Sequence, residues 1–116
     1  MSGLPIVIAE IVFLTEAEGG RRLAANVGYR PHIVVQDRSI RSSTVDERGM
    51  GNEEYLGVMF TAWPDGYVNG ASSEFQMELW YHPRVDYAKA IPGATFTIRE
   101  GGRIVGHGVI NSRELN

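Results

Sequence analysis

The residues of this 116-residue chain best suited to chemistry are its arginines, its three histidines and a tetrapeptide, Glu-Gly-Gly-Arg, that occurs at residues 18–21 and again at 100–103. Each copy sets bare backbone between opposite charges. Such a turn has two uses. Its glycines can supply the positive φ that a tight turn requires. Alternatively, its bare main chain can admit a close neighbour that the flanking charges hydrogen-bond. Lys89 is the sole lysine among 11 basic residues, and arginine's planar fork suits phosphate or carboxylate better than a lysine point charge. Arg21, Arg22, Arg30, Arg38, Arg41 and Arg48 fall close together against Asp37, Asp46 and Glu47, a basic stretch in a chain of net charge -3.

Other chemistry finds no support in the residues. A phosphate loop ends in Lys-Ser or Lys-Thr at a helix start, but Lys89 precedes Ala90. His32, His82 and His107 are far apart and lack metal-ligand spacing. The absence of cysteine excludes thiolate chemistry and disulfides. Glu53-Glu54 reads as a solvated loop. The expectation is a non-enzyme with no cofactor and no metal. Trp63, Tyr67 and Trp80 are a candidate aromatic patch, since an exposed aromatic beside arginine suits binding. The alternative for Trp80 is a cover for the outer wall, in a homodimer.

The elements that must position these residues are strands. Ile6–Leu14 is short and β-branched, apolar on both faces except at Glu10, which fits a strand within a larger sheet. His32–Val35, Tyr55–Trp63 and Phe75–Tyr81 follow, with Pro64-Asp65-Gly66 and Asn69-Gly70 as turns. Residues 36–52 read as a long loop or ragged hairpin. The last element is a hairpin closed by Gly101-Gly102, which pairs Glu100 with Arg103 as a cross-strand ion pair, Ile98 with Val105 and Phe96 with His107. In that register Gly106 and Gly108 share a face with Thr97 and Arg99. No helix is expected, and about six strands suggest a small closed or nearly closed barrel. At 43% hydrophobic and 22% charged, the chain reads as one folded domain. It shows neither a signal peptide nor a membrane span, so a cytoplasmic location is expected.

The segments AEIVFLTEAEGGRRLAANVGYRPHIVV and FTIREGGRIVGHGVI resemble the C-terminal domain of bacterial translation elongation factor Tu, in order and at similar spacing, and His82-Pro83 matches as well. The resemblance implies an all-β, six-stranded antiparallel Greek-key barrel without an active site, over residues 6–112, with short tails at 1–5 and 113–116. It also implies a surface that grips the backbone of a tRNA stem, carried by Gly20, Arg21, Arg30, Glu100 and Gly101. Arg22 stands where the family has histidine and His32 where it has glutamine. The stretch from Gln36 to Arg41 replaces a threonine-rich one, and His107 replaces a small residue. Two functions are therefore expected. The first is a protein-binding module that docks on a GTPase or mimics the factor before a protein that recognises it. The second is an RNA-binding module gripping a tRNA-like stem, with Arg99 joining the residues above.

Overall fold

The computed structural model describes residues 3–42 and 53–115. The chain forms six strands, β1 Pro5–Phe13, β2 His32–Val35, β3 Leu56–Ala62, β4 Ser72–Leu79, β5 Thr95–Glu100 and β6 Arg103–Leu115. They close into an antiparallel barrel in the order β1-β4-β3-β2-β5-β6. Strands β2, β3 and β4 follow one another as neighbours and β1 lies beside β4, which is a Greek key. The barrel exceeds the expected boundaries. Pro5 pairs with Leu115 and Val7 with Arg113, so residues predicted as tails are strand. Part of the predicted long loop, 43–52, lies outside the described residues.

β1 pairs along both edges, with β4 and β6, and alternates between a buried inner face and a half-buried outer one. Val7, Ala9, Ile11 and Phe13 point into the core with Ile33, Phe60, Phe75, Met77, Leu79, Phe96 and Ile98. Burial of these side chains is the main stabilising term. The predicted hairpin turn is present, with Glu100 opposite Arg103, but the register beyond it differs. A bulge between Ile98 and Arg99 places Arg99 opposite Ile104, Ile98 opposite Gly106 and Phe96 opposite Gly108. One extra residue on β6 turns both glycines inward. A Cβ on Gly108 would come 2.8 Å from both Ile11 and Phe96 side chains, so glycine there makes room for the core. The outer face of β5 carries Thr97 and Arg99, both fully buried, because Gln36, Glu53 and Tyr55 from the segment between β2 and β3 fold over them. The one short helical element among the described residues is a 3-10 turn, Glu16–Glu18. No described helix is long and apolar enough to cross a membrane.

Candidate interaction site

β1 and β3 end, and β4 and β6 begin, at the same end of the barrel, so the segments 14–31 and 63–71 and the Gly101-Gly102 turn gather there. Backbone hydrogen bonds tie them to the strands: Leu14 N–H to Val105 O (2.9 Å), Gly70 N–H to Phe13 O (2.8 Å) and Gly28 N–H to Phe60 O (2.8 Å). The two Glu-Gly-Gly-Arg turns are thus neighbours, and each arginine reaches the other copy. Arg21 pairs with Glu100. Arg103 donates from Nε to Gly19 O at 3.0 Å and from Nη2 to Gly20 O. The expected Glu100–Arg103 ion pair does not form; the turns exchange partners instead. Glu18 serves its own turn, accepting from Thr15 N–H (2.9 Å) and Thr15 Oγ1 (3.0 Å) in a capping box. Those bonds hold its carboxyl below the usual range.

The glycines act for different reasons. Gly19 and Gly101 have φ of 96° and 60° with open space where a Cβ would stand, so backbone conformation selects them. Gly20 is buried, and a Cβ there would lie 2.0 Å from Leu14 O. Main-chain packing requires that glycine.

Behind the turns, Tyr29 is the residue that the motif Gly-Tyr-Arg-Pro supplied and whose role the spacing did not reveal. Its hydroxyl donates to Glu100 Oε2 at 2.5 Å. Arg21 lies over its ring at 4.8 Å. Burial, then the bond to Glu100, pushes its phenol well above the ordinary value. Its ring packs on Phe13 and Phe60, which anchors the charged cluster to the core.

The expected binding residues divide. Arg21, Glu100 and Gly101 meet at the turn end, and Arg22 beside them is exposed. Arg30 lies along β3, over Trp80 at 5.7 Å, and is also exposed. His32 is further along, edge-on to Tyr55 at 6.0 Å. Arg99 is not a surface residue. Its guanidinium is fully buried, pairs with Glu53 at 2.6 Å, and also donates to Gln36 Oε1 (2.7 Å) and Tyr55 hydroxyl (2.8 Å). Glu53 is accordingly no solvated loop residue. No local pattern signals that pair, because its partners come from separate segments.

The aromatic patch divides too. Trp63 and Tyr67 pack together against Phe13 and Phe75, and the Tyr67 hydroxyl accepts from Phe13 N–H (2.9 Å) and donates to Ala71 O (2.7 Å). Trp80 stands apart with Arg30. Trp63, Pro64, Asp65 and Tyr67 face Ala24, Ala25 and Asn26 across a surface cavity of about 210 Å³. The segments that line it carry exposed Leu23 (73%), Val27 (59%) and Val68 (66%). Among the described residues no group of three or more His, Asp or Glu is placed to hold a metal ion.

No family model matches the chain. It is 33% identical over 105 residues to elongation factor Tu of the apicoplast of Plasmodium falciparum, a match taking in 89% of this chain and 22% of that protein. The chain therefore spans about a fifth of that relative's length and is similar to this part of a translation factor across most of its own.

Proposed function

We propose that this chain is a non-catalytic, cytoplasmic protein-binding module, a barrel like the C-terminal domain of elongation factor Tu. It docks on a GTPase or presents a factor-like surface to a protein that recognises the factor. The observation that carries this reading is the cavity that Trp63, Pro64 and Tyr67 share with Ala24 and Ala25, with Leu23, Val27 and Val68 exposed on the same two segments. Three exposed aliphatic side chains on the segments that build a concave, aromatic-backed surface suit a protein partner. The charges nearby point the same way. Arg21 is neutralised by Glu100 and Arg99 by Glu53, which leaves less free cation for a phosphate backbone.

The test is competition. The purified chain is expected to displace elongation factor Tu from a factor-binding protein, or to bind a translational GTPase directly, and the double variant Leu23→Asp, Val68→Asp is expected to lose at least tenfold in affinity, roughly one hot-spot residue's worth. Undiminished binding by that variant would reject the surface. The second reading, a grip on a tRNA-like stem, draws on exposed Arg22 and Arg30. It requires a mobility shift with total tRNA at low salt that fades steeply as salt rises. Sedimentation at high concentration tests self-association through the Trp80 wall.

A further inference from the structure

Two departures from the elongation-factor pattern, the stretch from Gln36 to Arg41 and His107, meet on the outer wall of the barrel. Arg38 aims Nε and Nη2 at His107 Nδ1, at 3.3 and 3.2 Å. With two guanidinium donors facing it, Nδ1 is the acceptor, so the neutral ring carries its proton on Nε2. Arg41 lies alongside, its Nη1 fixed by Arg38 O (2.6 Å) and Ile40 O (3.0 Å). The nearest acid in sequence is committed elsewhere: Asp37 Oδ1 accepts from Ser39 N–H (2.8 Å) and Ser39 Oγ (2.6 Å). Among the described residues, neither Arg38 nor Arg41 forms an ion pair.

We infer that Arg38, Arg41 and His107 form a binding site for a tetrahedral oxyanion, in particular a phosphate group, on the outer wall over β6. Both guanidinium groups act on His107, and their contacts leave other N–H groups for a ligand. Charge-assisted bonds from arginine to such an anion are among the stronger hydrogen bonds available. The imidazole offers Nε2–H as a further donor, and a proton gained at Nδ1 releases the Arg38 guanidinium to the ligand and adds a third positive charge. Burial, then the positive charges of Arg41 and Arg38, keep His107 neutral below its ordinary pKa, while Glu18 pulls the other way. An anion between these groups cancels the two arginine charges. Anion binding and protonation of His107 therefore reinforce one another.

Sulfate is the cleanest probe, because it stays doubly charged where imidazole titrates. The imidazole resonances of His107 are followed by NMR as sodium sulfate is added, against sodium chloride at equal ionic strength. Saturable movement with sulfate alone is expected, with affinity about fivefold tighter at about pH 5.5 than at about pH 7.5, which corresponds to the ~1 kcal/mol of one added unit charge. The double variant Arg38→Gln, Arg41→Gln is expected to lose the response, and Arg84→Gln to keep it. Equal responses to sulfate and chloride, or an undiminished response in the double variant, would overturn the site. Inorganic phosphate and adenosine monophosphate then distinguish sources: equal affinities assign the site to free phosphate, and tighter mononucleotide binding assigns it to a nucleotide. No protein partner enters the measurement, so its outcome is separate from that of the competition above.

Discussion

Two arginine–glutamate pairs sit one residue apart along β5 and belong to different physical regimes. Arg99 and Glu53 have side chains 0% and 5% exposed, while Arg21 and Glu100 are 28% and 31% exposed. Arg99 and Glu100 are adjacent, yet the strand alternates its faces and the covering segment reaches only one of them. Water screens the outer pair and leaves it worth little. The inner pair is desolvated, so removing one partner strands a buried charge. Burial, rather than the number of bonds, separates a surface contact from a structural pin.

The largest break in this comparison is Arg99→Ala, which is expected to cost about 3–5 kcal/mol by removing the guanidinium that faces the buried Glu53 carboxylate; urea unfolding midpoints measure it. Replacing both partners at once, Arg99→Met with Glu53→Leu, should recover most of that loss, because it removes both buried charges together. If the double replacement is as damaging as the single, the covering segment depends on the ion pair itself. Next is Gly20→Ala, whose Cβ would strike the Leu14 carbonyl and cost about 1–3 kcal/mol. Gly101→Ala, in open space at positive φ, should cost about 1 kcal/mol from backbone strain alone. Equal losses at these two glycines would erase the distinction drawn between them.

Smaller still is the outer pair. A double-mutant cycle on Arg21→Ala and Glu100→Gln is expected to give a coupling of at most ~1 kcal/mol, reduced further by salt. A larger coupling would place the turn end in the same regime as the wall. The smallest effect is that of His107. Its pKa is lowered in the fold, so the folded chain binds fewer protons than the unfolded one. Its contribution is complete above about pH 6.5 and is lost as pH falls below that value. Melting temperature is expected to decline on acidification in the wild type and less in His107→Gln, a difference below ~1 kcal/mol for a group this exposed.

The strands were legible because alternation and β-branching are local properties: β1 as two apolar faces, the last hairpin as a Gly-Gly loop between alternating segments. The register was not, since a bulge is settled by what fits inside, and Gly106 and Gly108 turn inward because Phe96 and Ile11 fill the space opposite. The candidate site was legible in part. The motif named Arg21 and Glu100 but not their union, and it assigned Arg99 to a surface that Gln36, Glu53 and Tyr55 cover.

By itself the sequence determined an all-β chain of about six strands, the positions of its turns, and two charged glycine bends, all of which follow from residue-level preferences. Only the tertiary structure decided that the bends interlock with exchanged partners, that one arginine is buried and its neighbour half-exposed, and that Arg38 meets His107. Those outcomes depend on closing the barrel, which brings together groups 46 to 84 residues apart in the chain. No local pattern encodes that meeting; the shared core imposes it.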